Sequence, residues 1–196
     1  MATVGAIWFS PEVVAPEQLF APLIQSGPMD QVITFVLSNF PLTFAILGLI
    51  VAGFEILRTP VPRAPGSAAE SVLRWFMFFP VGVSFLYNFV CHVFFGEMAA
   101  KFIGWAQSPF QAEVGWASLG YSVLGFMSFR PHRALRVGTI AALACFSWGA
   151  AAGHVYQMVT AHNFAPGNAG IMFWCDIFLP LFGFFLLWKT RRTEPN

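Results

Sequence analysis

QVITFVLSNFPLTFAILGLIVAGFEIL, residues 31–57, decides the fold. A helix that crosses a bilayer needs about 20 mostly apolar residues, because every backbone polar group must find its partner inside the segment. Four further segments read the same way, at residues 71–95, 109–129, 134–160 and 170–188. The sequence therefore predicts an all-α polytopic membrane protein, a bundle of about five transmembrane helices.

Composition agrees. The chain has 196 residues, of which 57% are hydrophobic and 10% charged, against about 25% charged in a soluble domain. The 24 phenylalanines suit lipid contact, and the bilayer is the first expected partner. A net charge of +1 gives no basic field to recruit nucleic acid. The three cysteines, Cys91, Cys145 and Cys175, are odd in number and lie in apolar runs, which argues against a disulfide framework. The opening residues MATVGAIWF lack the basic region of a secretory signal.

Polar stretches divide the spans. RTPVPRAPGSAAE (58–70) reads as a proline-rich loop and RPHR (130–133) as a tight basic turn. Ser108-Pro109-Phe110-Gln111 reads as a capping box opening the third helix, and APGNAG (165–170) as a turn with Asn168 as an N-cap. If the chain alternates sides, Arg58, Arg63, Arg74, Arg130, Arg133, Arg136, Lys189, Arg191 and Arg192 share one face and Lys101 takes the other. The positive-inside rule then places the N-terminus outside and the C-terminus in the cytoplasm. Three parts are expected: an interfacial segment at 1–30, the five-helix domain at 31–189 and a cytoplasmic tail at 190–196. Within the first part, residues 10–26 are expected to lie along the outer membrane surface. GEMAAKFIGWAQ (96–107) is expected to lie flat on the same side, with Trp105 at headgroup depth.

An ionisable group at bilayer depth costs about 2.5–3.5 kcal/mol on insertion scales, so each one needs a reason. At about 1.5 Å per residue, His92 lies roughly 6 Å, Glu113 about 7 Å, and His154 and Asp176 about 9 Å from the outer ends of their helices. Four helices thus bring two histidines and two carboxylates to one level, with Glu97 just above. Ser84, Asn88 and His92 form one polar stripe, and Ser147, His154 and Gln157 another. Gly149 and Gly153 in GAAAGH leave room for a neighbouring helix or a flat ligand. The same residues also admit structural roles. His92 can be a hydrogen-bonded core histidine beside Asn88, and Glu113 can sit in the first turn for the helix dipole.

His92, Glu97, Glu113, His154 and Asp176 make a mixed nitrogen and oxygen ligand set that suits iron, manganese or zinc. A redox or hydrolytic role would follow, with His92, His154, Glu113 and Asp176 as the reacting groups. Alternatively His92 and His154 ligate one b-type haem. Two other readings are a proton relay or small transporter, and an accessory subunit that pairs with other membrane subunits or with itself. No Walker loop, dinucleotide fingerprint or GxSxG elbow is present, and neither is a CxxC pair.

GEMAAKFIGWAQSPFQAEVGWASLGYSVLG (96–125), GAAAGHVYQM (149–158) and NFAPGNAG (163–170), followed by Asp176, resemble an uncharacterised family of small bacterial polytopic membrane proteins, a domain of unknown function. The resemblance covers roughly residues 70–185 and rests on IGWxxSPFQxEVG and PGNAG. It implies motif positions at His92, Glu97, Trp105, Ser108, Pro109, Gln111, Glu113, His154, Asn168 and Asp176. It also implies residence in the bacterial inner membrane, and no activity. A looser similarity is to small four-helix DoxX-like membrane proteins.

Overall fold

The computed structural model describes residues 28–191. The expected surface segment at 10–26 and most of the expected tail lie outside them. Every element among the described residues is helical. Helix α1 spans Pro28–Ser38 and α2 Phe40–Arg58. Helix α3 is the long Ser67–Phe94, α4 the short Gly96–Ile103, and α5 Phe110–Met127. Helix α6 runs Arg133–Ala161, α7 is the single turn Pro166–Ala169, and α8 is Ile171–Thr190. The chain divides between Phe35 and Val36 into two compact units, and the helix bundle is built from residue 36 onward.

The segment at 31–57 is broken where one helix is expected. Asn39 is a turn residue, and Pro41 stands in the first turn of α2, where its missing N–H costs nothing. The Thr43 hydroxyl donates to the carbonyl of Val36 at 2.9 Å, which ties the two sides of the break together.

Helix α3 carries a second irregularity. Met77–Val83 winds as a π-helix around Pro80. Pro80 has no N–H for the carbonyl four residues back, and the i→i+5 register absorbs the loss. Ser84 accordingly donates its N–H to Phe79, and α-helix resumes.

Side-chain bonds set the direction of each helix. Glu55, near the end of α2, bonds with Ser71, Arg74 and Trp75 at the start of α3. Arg136, fully buried at the start of α6, holds Glu70 of α3 through both carboxylate oxygens at 2.9 and 2.8 Å. Its remaining nitrogens donate to the Ser128 and Phe129 carbonyls at the end of α5. Arg133 donates to the Leu187 carbonyl near the end of α8. The ends of α2, α5 and α8 and the starts of α3 and α6 therefore meet at one end of the bundle, so neighbouring long helices run antiparallel. Between the two ends lies an apolar core of Leu73, Phe76, Met77, Val81, Ile140, Leu143, Leu186 and Leu187.

Four helical stretches are long and apolar enough to cross a membrane: Phe40–Arg58, Ser67–Phe94, Arg133–Ala161 and Pro166–Thr190. Their outer faces are bare hydrocarbon, with Ile46, Leu49, Ile50 and Phe54 on α2 and Phe178, Leu181, Phe185 and Trp188 on α8 all exposed. Helix α5, expected as a fifth apolar span, is not among the four. Its buried side is Gln111, Gly115, Ser118, Ser122 and Gly125, a stripe of small and polar residues against α3 that dilutes its hydropathy. Such stripes let helix backbones approach closely where lipid removes the hydrophobic drive to associate.

Candidate functional site

Away from the buried arginine, the other end of the bundle converges on Asn168. The PGNAG stretch forms α7, and Phe102 of α4 packs so tightly on Gly167 that a Cβ there would meet the Phe102 carbonyl oxygen at 2.7 Å. This seats Asn168 with no exposed surface. Its amide nitrogen donates to the carbonyls of Asn163, at 2.9 Å, and His154, at 3.2 Å. Its amide oxygen accepts from the Trp105 indole N–H at 2.8 Å and lies 2.8 Å from His154 Nδ1. Asn168 is therefore the centre of a network, not the N-cap expected from its turn sequence.

Trp105 reaches that network because Gly104 ends α4 with φ +76°, in the left-handed region where glycine is favoured. The Asn163 side chain donates to the carbonyls of Ile103 and Gly104 and holds the turn. The indole then lies beside Gly153, where an added Cβ would stand 3.3 Å from the ring, and its centroid is 5.4 Å from that of His154. The space expected at Gly153 for another helix or a flat ligand is thus occupied by the chain's own tryptophan. Nothing lies within 4 Å of a Cβ at Gly149.

The amide geometry decides where the His154 proton sits. Two carbonyls can only accept, so the Asn168 atom facing them is the nitrogen and the atom facing His154 is the oxygen. An amide oxygen cannot donate, so His154 Nδ1 must carry the hydrogen. In the neutral ring Nε2 is then the bare nitrogen, and it faces Asp176 Oδ2 at 3.7 Å. A lone pair set against a carboxylate is repulsive unless one proton resides on one of the two groups.

Asp176 of α8 also borders a cavity of about 60 Å³, where Ser147 lies against its carboxyl and Ser84 and Asn88 face in from α3. A single water needs at least about 10–15 Å³ and takes about 30 Å³ in the liquid, so the cavity has room for a few. Pro180 lies four residues after Asp176, so the Asp176 backbone carbonyl lacks its helical N–H beside the same carboxyl.

The other expected site residues lie elsewhere. His92 Nδ1 donates to Gln111 Oε1 at 2.5 Å, across the α3–α5 contact. Gln111 thus serves His92, and the cap residue of α5 is Pro109, with no side-chain capping bond. Asn88 donates to the Ser118 hydroxyl at 2.9 Å. Glu113 and Glu97 are exposed. Among the described residues no three His, Cys, Asp or Glu side chains come together as a metal-binding group. The roles of Asn168, Gln111 and Trp105 escaped the sequence reading, although all three are motif positions in it.

The chain matches a family model over residues 38–196, described as a family of unknown function (DUF6790). The chain belongs to this family. DUF6790 therefore takes in every helix from α2 onward and every residue of the Asn168 network, a longer reach than the expected 70–185. No curated protein and no solved structure shows significant similarity to this DUF6790 chain.

Proposed function

We propose that this chain is a five-crossing membrane protein whose His154–Asp176 pair takes up and releases a proton toward the non-cytoplasmic side. The observation that carries the reading is the fixed tautomer. Asn168 holds the His154 hydrogen on Nδ1, so the bare Nε2 and the Asp176 carboxylate, 3.7 Å apart, share the need for one proton. The Ser147 hydroxyl and the small cavity give that proton somewhere to go. Ionisable groups at this depth in a bundle are characteristic of proton relays.

The fifth crossing in this reading is α5. It is 18 residues long and presents Phe110, Trp116, Val123 and Met127 outward. The ion-paired end, with Arg74, Arg133, Arg136 and Lys189, is cytoplasmic by the positive-inside rule. The Asn168 network and the beginning of α2 then lie outside, in the plasma membrane of a bacterium. A metal or haem centre has less support, because Glu113 and Glu97 face outward and the gap beside His154 holds Trp105.

Infrared difference spectra of the purified protein across pH test the proposal. A carboxylic acid C=O band is expected to rise and fall with pH, to vanish in Asp176→Asn and to shift in His154→Gln. A spectrum with no such band sinks the proton site. Membrane-impermeant thiol labelling of single cysteines placed at Lys101 and at His132 tests the orientation separately, with only the first expected to react from outside.

A further inference from the structure

The cavity beside Asp176 has a lining that proton transfer alone does not require. Four phenylalanine side chains border it, Phe40 from α2, Phe76 and Phe85 from α3, and Phe146 from α6. Phe85 and Phe146 are held in place by neighbouring rings: they stand 5.9 Å apart, and each packs on Tyr121, at 5.3 and 5.1 Å. Phe40 packs on Tyr87 at 4.7 Å. One carboxyl among several aromatic rings, with hydroxyl and amide groups at the edge, is the chemistry that recognises an alkylated ammonium ion. The rings' negative faces and the carboxylate both favour a diffuse cation, and a poorly hydrated one gives up little water to enter.

The charge inventory points the same way. The bundle's arginines that are held in ion pairs or carbonyl contacts lie away from Asp176, and Lys101 on α4 is exposed. Arg136 is bound to Glu70, Arg74 to Glu55, and Arg133 reaches Leu187, all at the opposite end. Of the titratable groups around Asp176, α6 contributes His154 and α8 contributes Cys175, while α2 and α3 line the cavity with none. An ionised Asp176 beside a neutral His154 therefore favours a cation in the cavity, and a proton on the pair removes that attraction.

We propose that the Asp176 cavity binds a small alkylammonium ion, of about the size of methylammonium, in exchange for the proton of the His154–Asp176 pair. This rests on the proton reading and adds the class of substrate. A cavity of about 60 Å³ suits such an ion and excludes bulkier amines, since a benzene-sized guest takes a cavity of about 150 Å³.

Calorimetric titration of the purified full-length chain with methylammonium chloride, in buffers of different ionisation enthalpy, tests it, with sodium chloride as the comparison ion. Saturable binding with release of about one proton per ion is expected, with no heat from sodium. Asp176→Asn is expected to abolish binding. Phe146→Leu, which keeps an apolar side chain and removes the ring, is expected to weaken it by about fivefold to tenfold while leaving the infrared carboxyl band in place. That second variant keeps the test valid if Asp176→Asn fails to fold. Equal binding of sodium, or unchanged affinity in Phe146→Leu, overturns the ammonium site. So does absence of binding in wild-type protein that still shows the pH-dependent carboxyl band, an outcome that leaves the proton reading standing. Loss of the band itself would remove both.

Discussion

Asn168 grips His154 at two places: its amide oxygen lies 2.8 Å from Nδ1, and its amide nitrogen donates to the His154 backbone carbonyl at 3.2 Å. One buried side chain thus fixes both the ring and the helix that carries it. Asn168→Ala leaves the Trp105 indole N–H and the His154 Nδ1–H without these acceptors, and takes the amide donor from the His154 and Asn163 carbonyls. A loss of about 3 kcal/mol in unfolding free energy is expected, read from thermal or denaturant unfolding in detergent, together with a shift in tryptophan emission. Asn168→Asp keeps acceptors for Trp105 but cannot donate to either carbonyl, so it is also expected to destabilise. A neutral result for both would mean that the network adds nothing.

His154 and Asp176 are expected to act as one unit. In a double-mutant cycle of His154→Ala and Asp176→Ala, the double variant should lose little more than either single one, because each single variant already removes the shared proton. The checks are the infrared band and unfolding stability. Additive losses would show two independent residues.

The fully buried Arg136 makes the opposite end sensitive. Arg136→Met strips Glu70 of its partner and the Ser128 and Phe129 carbonyls of their donors. About 3 kcal/mol should be lost, the lower end for a broken buried pair because Glu70 keeps some solvent contact. Adding Glu70→Gln should restore part of it, measured by chemical denaturation in the same detergent.

Helix α5 approaches α3 so closely that a Cβ at Gly125 would stand 2.8 Å from the Gly82 Cα and 2.9 Å from the Met77 carbonyl oxygen. Both are backbone and cannot step aside. Gly125→Ala is expected to cost about 1–3 kcal/mol. Gly120→Ala on the same helix meets nothing within 4 Å and should be neutral or slightly stabilising through helix propensity. A thermal-shift comparison of the two decides whether this contact governs stability.

The apolar runs at α2, α3, α6 and α8 were legible because a span is a matter of length and hydropathy alone. The break at Asn39 was not. Residues 31–57 read as one uninterrupted apolar run, and the Thr43 bond to Val36 shows how the turn closes. Helix α5 reads as a span like the others, yet it falls outside the four apolar helices because its Gly and Ser face, buried against α3, lowers its hydropathy. At the site, counting 1.5 Å per residue gives each group's height along its helix and says nothing of the direction in which it points. His154 and Asp176 face each other, His92 turns to Gln111, and Glu113 and Glu97 turn outward at similar heights. Asn168 was visible as a turn residue. A short helix flanked by Phe102 packing on Gly167 was needed to bury it.

Pro80 and the wide turn around it set the azimuth of the rest of α3. An i→i+5 stretch holds one residue more than regular winding would, and one residue is worth about 100° of rotation for only 1.5 Å of length. The two halves of α3 are therefore clocked separately. The first half aims Glu70 and Arg74 at the ion pairs, and the second aims Ser84, Asn88 and His92 at α5 and the cavity. Deleting a single residue between 77 and 83 would take out that spare residue, return the turn to regular winding and leave both halves facing their partners, as a slack link can be removed without moving either end of a chain.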